Sequence, residues 1–138
     1  LDVLAPKLSF LSIGTNDLTQ FLFAADRANP KLAERYDWLS PAILRFLKRV
    51  MQSVAGHDVD VTVCGEMGGR RLEALALMGI GIRRISITPA SVGPIKELVR
   101  KVDLEEIGMA MNGWLAATPR DLRGALVAWA QERGIDCD

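Results

Sequence analysis

The sequence is short of several things, and each shortage removes a class of function. It has no surplus of charge of either sign, with 17 Lys and Arg against 17 Asp and Glu. A nucleic-acid groove or an anionic-membrane patch draws on excess Lys and Arg, so neither is expected. No uncharged apolar run approaches the ~18 residues that a membrane span needs. No signal or transit peptide is legible, which makes the cytoplasm the expected location. Cysteine occurs twice, as Cys64 in an apolar run and Cys137 near the C-terminus. Such unlike contexts read as thiols and not as a disulfide framework. Histidine occurs once, at His57, and the chain opens Leu1-Asp2-Val3 without an initiator methionine. A removed tag or a longer parent protein is therefore expected.

What is present is ordinary for a globular domain: 138 residues, 49% apolar and 25% charged. That length suits one domain and needs no metal or disulfide to hold its core. Residues 8–13 form an apolar run that stops at Gly14-Thr15-Asn16-Asp17, which reads as a buried strand ending in a polar turn. Leu18, Phe21, Leu22 and Ala25 then have helical spacing until Asn29-Pro30. Ser40-Pro41 opens a clear helix, with Ser as N-cap and Pro at its first position. Its predicted apolar face is Ile43, Leu44, Leu47, Val50, Met51 and Val54, and Gly56 closes it.

The unit then repeats. Val59 to Val63 predicts a second strand ending at Cys64-Gly65-Glu66, followed by a helix from Arg70 to Met78 closed by Gly79. Ile82 to Ile87 predicts a third strand, ending at Thr88-Pro89. Ser91 is expected to cap the next helix, with Ile95, Leu98, Val99 and Val102 buried. Two further helices start at Asp103, with Glu106 three residues on, and at Thr118-Pro119, with Asp121 three residues after Thr118; both resemble capping boxes. Strands alternating with helices imply a parallel sheet. A (βα)8 barrel typically takes ~250 residues, so the chain is either a small open α/β domain or the last part of a barrel.

Parallel α/β folds place their sites at the carboxyl ends of the strands. An amide (Asn16), carboxylates (Asp17, Glu66) and a thiol (Cys64) therefore converge on one edge, which suits a metal-plus-anion site with an acid nearby. Each residue also has a plainer reading. Asn16 and Asp17 make an Asx-turn equally well. Cys64 reads as a small buried hydrophobe, and Gly65-Glu66-Met67-Gly68-Gly69 as a turn using positive φ. Arg27 reads as a solvated loop charge, His57 as a surface residue, and Trp38, Trp114 and Trp129 as core or interface.

The block from Ser9 to Arg27, containing Gly14-Thr15-Asn16-Asp17-Leu18-Thr19-Gln20, closely resembles the signature of the phosphoenolpyruvate-utilising enzymes. That family includes enzyme I of the bacterial phosphotransferase system, pyruvate phosphate dikinase and phosphoenolpyruvate synthase. Val61-Thr62-Val63-Cys64-Gly65-Glu66-Met67-Gly68-Gly69 resembles its Cys-Gly-Glu segment, with Gly68 where the family usually has Ala, a change expected to loosen the loop. Residues 36–42 are most similar to enzyme I, and residues 24–30 and 89–96 to its nitrogen-related branch.

The resemblance implies that residues 1–138 are the C-terminal portion of a (βα)8 TIM-type barrel, about three βα units plus terminal helices. It implies that Asp17 binds Mg²⁺, that Asn16 and Arg27 hold the phosphate of phosphoenolpyruvate, and that Cys64 protonates C3 of the enolate to give pyruvate. A second Mg²⁺ carboxylate, further arginines and the phosphorylated histidine are expected outside this chain, so the fragment alone is expected to be inactive. The implied partners are a small phosphocarrier protein, met through another domain, and a second copy in a homodimer. A fragment of the dikinase or synthase, and a non-catalytic dimerisation module, are the alternatives, the latter drawing on Trp114 and Trp129.

Overall fold

A computed structural model describes residues 1–26, 28–29, 31–32, 36–117 and 120–137. Three parallel strands, β1 (Phe10–Gly14), β2 (Asp60–Cys64) and β3 (Arg84–Ser86), form one sheet in the order β1-β2-β3. Between β1 and β2 run α1 (Thr15–Phe23) and α2 (Pro41–Val54); α3 (Arg71–Gly79) links β2 to β3; α4 (Pro89–Lys101), α5 (Leu104–Ala117) and α6 (Leu122–Glu132) follow. This is the mixed α/β architecture with a parallel sheet that the sequence predicts.

The two faces of the sheet differ. Side chains alternate along a strand, and in-register neighbours of parallel strands share a face. Ile13, Val61 and Val63 are buried in the core. On the other face, Ser12 pairs with Thr62 and Thr62 with Arg84, while Gly14 pairs with Cys64 and Cys64 with Ser86. These residues are half-buried or exposed, and Phe10 on the same face is 70% exposed.

The core centres on α3. Every residue from Leu72 to Gly79 is buried, because the helix is enclosed by α4, α5 and α6. Leu75 and Leu77 are wholly buried, and each such side chain is worth about 1.5–3 kcal/mol relative to exposure. Gly79 is where α5 crosses: a Cβ there would lie 2.4 Å from Met111 Cγ. Its role is therefore close helix packing, and the positive φ of the following turn falls on Gly81, at 100°.

Local signals set several boundaries as expected. Ser40 Oγ accepts from Ala42 N at 3.3 Å, with Pro41 opening α2. Asp103 Oδ1 accepts from Glu105 N and Glu106 N at 2.8 and 3.0 Å. Glu106 turns away to pair with Arg133 at 2.9 Å, so the reciprocal half of that capping box is not made.

Other expectations are corrected. The polar segment after β1 is not a turn: β1 passes directly into α1, and Thr15, Asn16 and Asp17 form its first turn. Phe21 and Leu22 are 80% and 40% exposed, because nothing among the described residues covers that side of α1. Ser91 lies inside α4, which opens at Pro89 after Thr88, and Val99 is 51% exposed. The helix expected to start at Thr118-Pro119, which lie outside the described residues, begins at Leu122, with Asp121 accepting from Gly124 N at 2.8 Å. Trp129 is core, and Arg133 stacks on it at 4.2 Å. No disulfide joins Cys64 and Cys137. No helix among the described residues is long and apolar enough to cross a membrane.

Candidate functional site

The three strands end on one edge, and hydrogen bonds stitch those ends together. Thr15 Oγ1 donates to the carbonyl of Cys64 at 3.1 Å, and Thr19 Oγ1 donates to the carbonyl of Thr15 at 2.7 Å. Both threonines are completely buried. Asn16 Nδ2 approaches Glu66 Oε1 at 3.4 Å. The first turn of α1 is thereby fastened to the loop that follows β2, so the two sequence blocks meet in space.

Glycine makes the fastening possible in two ways. Gly65 has φ of 110°, and a Cβ there would stand 2.7 Å from Thr15 Oγ1. Only glycine tolerates both the backbone and the approach. Gly68 is not left-handed; it is buried, and a Cβ would lie 2.2 Å from Ile85 Cγ2. The loop is not loosened there, as the sequence suggested. Ile85 of β3 occupies the space that an alanine methyl would need.

Cys64 stands half-buried at the end of β2, where Ser12 Oγ donates to its Sγ at 3.7 Å. Asp17 is exposed in the first turn of α1, a position where helix polarity favours negative charge. Arg27 lies outside the described residues. His57 is exposed in the loop before β2, at the opposite end of that strand from Cys64.

A cavity of about 430 Å³ beside these strand ends is lined by Asn16, Ala28, Tyr36, Trp38, Glu66, Arg70 and Arg123. Two of its lining residues carry a buried atom without a hydrogen-bond partner, Asn16 Oδ1 and Trp38 Nε1. A buried acceptor and a buried donor left unmet are costly unless a ligand or water satisfies them. Arg70 stacks on the Trp38 ring at 4.9 Å. Arg123, from α6, reaches Asp37 at 2.8 Å and Glu73 at 3.0 Å. Its guanidinium stays charged: partial burial opposes the charge most strongly, and the hydrogen bonds it donates to Asp37 and Glu73 outweigh it. A smaller cavity of about 200 Å³ joins Gly65, Glu66, Gly69 and Arg70 to Thr88 and Ser91, bringing in the end of β3.

The oxygen donors fit a share of a magnesium site. Mg²⁺ takes one or two carboxylates and fills its shell with water and substrate oxygens; Asp17 offers one carboxylate, and Asn16 Oδ1 is an unused oxygen. Among the described residues no group of three or more His, Cys, Asp or Glu is assembled, so the set is partial.

Ser12, Trp38, Arg70 and Arg123 were missed as site residues by sequence reasoning. Ser12 carried one signal, being two residues before Gly14 on the same strand face. The others arrive through tertiary contacts across long sequence separations.

The parallel sheet with polar, hydrogen-bonded strand ends beside a cavity defines an α/β domain. Comparison with known proteins gives the family. Residues 1–104 match the family described as PEP-utilising enzyme, PEP-binding domain, and the chain belongs to that family. It is 45% identical over 109 residues to the phosphoenolpyruvate-protein phosphotransferase of Borreliella burgdorferi, covering 79% of this chain and 19% of that protein. It is 38% identical over 133 residues to a Salmonella typhimurium protein named phosphoenolpyruvate-dependent phosphotransferase system, covering 96% and 18%. A multiphosphoryl transfer protein of Xanthomonas campestris is 43% identical over 99 residues, covering 72% and 12%. The chain spans less than a fifth of the length of these relatives.

Proposed function

We propose that this chain is the C-terminal portion of a phosphoenolpyruvate-binding (βα)8 barrel in a phosphoenolpyruvate-protein phosphotransferase. The observation that carries the reading is the strand-end cavity lined by Arg70, Arg123 and Trp38, whose indole N–H is buried and unmet, together with Asn16. Such a cavity suits a small, polar anion. The uncovered polar face of the sheet supports the barrel, since a closed barrel buries that face against its remaining strands.

In the reaction, the phosphoryl group leaves phosphoenolpyruvate for a histidine elsewhere in the parent protein, and the enolate of pyruvate remains. The Cys64 thiol gives its proton to C3, forming pyruvate, and the thiolate recovers a proton from water. Asn16 and Arg27 hold the phosphate. Asp17 holds Mg²⁺, which when bound offsets negative charge on the phosphate. From the histidine the group passes to a small phosphocarrier protein. A cytoplasmic location and the nitrogen-related branch belong to the same reading.

Replacement of Cys64 by Ala in the longer protein tests it. Pyruvate release is expected to fall by about 10²–10⁴, the usual share of a positioned acid, while phosphoenolpyruvate binding stays within a few-fold. Unchanged turnover would overturn the role of Cys64. The isolated chain is expected to bind phosphoenolpyruvate weakly or not at all.

A second reading rests on Phe10 and Phe21, 70% and 80% exposed. Large apolar side chains in water favour association, so the chain by itself is expected to dimerise. Sedimentation at several concentrations tests this, and a monomer throughout would count against it.

A further inference from the structure

Another cavity, about 660 Å³, does not open on the strand ends. It lies between the start of α3, α6 and the C-terminal segment. Arg71 lines it, with a side chain only 10% exposed. Its Nε donates to the carbonyl of Asp136 at 2.7 Å, and its Nη1 to Glu97 Oε2 at 3.2 Å. Its Nη2 is buried and meets no acceptor. Nε and Nη2 share one edge of the planar guanidinium, so the unmet donor lies on the side of Asp136 and Cys137, which also line the cavity.

A second feature points the same way. The residues Gly69 to Glu73 line this cavity, and α3 begins at Arg71 with no side chain capping it. An uncapped helix start presents backbone N–H groups to an anion. Arg123 stands at the border, and the carboxylate of Glu73 is taken by it at 3.0 Å. Asp136 is the other acid on the wall. Arg70 also borders the cavity, but its guanidinium is over Trp38, on the strand-end side. Leu72, Pro94, Val127, Ala130 and Ile135 add apolar surface to the lining, and Gln131 a neutral polar group.

We propose that this cavity binds a small phosphorylated organic molecule, its phosphate held by Arg71 and the start of α3 and its body against the apolar wall. The volume falls in the range of ligand pockets, roughly 300–1,000 Å³. Phosphate suits the site better than carboxylate, because donors come from both a guanidinium edge and a helix start, and three oxygens can meet them. The two cavities share Arg70 and Arg123, whereas Arg71 lines this one and Asn16 the strand-end one.

Inorganic phosphate titrated into this chain, followed through the amide NMR signals of Arg71, Leu72 and Glu73, provides the test. Saturable shifts are expected with phosphate, and much weaker ones with acetate at matched ionic strength. Arg71→Gln is expected to weaken binding about tenfold or more, the scale of a lost charge-assisted bond. Arg71→Lys, which keeps the charge and the fold but loses the fork, is expected to fall between. Asn16→Ala should leave the titration unchanged, which separates this site from the phosphoenolpyruvate cavity. No saturable shift in the folded chain would overturn the proposal, as would acetate binding equal to phosphate or an unaltered titration in Arg71→Lys.

Discussion

Ser12 and Cys64 meet across the β1–β2 pair, with Ser12 Oγ donating to Cys64 Sγ at 3.7 Å. The contact follows from register: Ser12 and Cys64 lie on the same face of the sheet, one strand apart. A sulfur held by a neighbouring hydroxyl has its direction set before substrate arrives. Ser12→Ala in the longer protein is expected to lower kcat by up to about tenfold, the scale of one hydrogen bond. Substrate affinity should hold, and Ser12→Thr should restore part of the rate. Steady-state kinetics on both variants checks this, and an unchanged kcat in Ser12→Ala removes Ser12 from the site.

Gly68 and Ile85 form a matched pair, since a Cβ at Gly68 would fall 2.2 Å from Ile85 Cγ2. Gly68→Ala is expected to destabilise by about 1–3 kcal/mol, the usual cost of overpacking. In an Ile85→Ala background the same change should cost much less. Urea unfolding of the four proteins gives the coupling. Additive effects would show that Ile85 does not occupy the alanine's space.

Arg123 holds Glu73, which is 3% exposed, on the central helix. Arg123→Ala leaves that carboxylate buried and without its described partner. Because Arg123 is itself 46% exposed, the expected loss is about 2–3 kcal/mol, below the ~3–5 of breaking a fully buried pair. Adding Glu73→Gln should recover part of it. A shift in unfolding midpoint close to zero for Arg123→Ala would show the pair to be dispensable.

Glu97 supplies a pH dependence. Its carboxyl lies below the ordinary glutamate range, first because of the hydrogen bond from Lys101 at 2.8 Å and then because of Arg71. A carboxyl depressed in the folded state binds its proton more readily when unfolded. Its contribution is therefore present above the ordinary glutamate range and lost as pH falls through the depressed folded value. The melting temperature should decline on acidification through that window, less steeply in Glu97→Gln. The difference should shrink at high salt, because Glu97 is solvent-exposed. Identical pH profiles for the two proteins would contradict this.

Much of the architecture could be read before any tertiary contact was known. Helix starts at Ser40-Pro41 and Asp103 are set by groups within one turn of each other, and local chemistry decides them. The convergence of Asn16, Glu66 and Cys64 was legible because parallel strands must end on one edge. Other features had no local signature. An apolar stripe such as Leu18, Phe21 and Leu22 shows periodicity and not what covers it, so the exposure of Phe21 and Leu22 emerged only from packing. Gly79 ends α3 as its sequence position suggests, but that it is also a crossing point was not legible, since the deciding atom, Met111 Cγ, lies on another helix. Arg70 on Trp38, Arg123 on Glu73 and Ser12 on Cys64 depend on distances between residues far apart in the chain. Local propensity acts over a few residues, whereas a site is assembled by burial and register, and these belong to the whole fold.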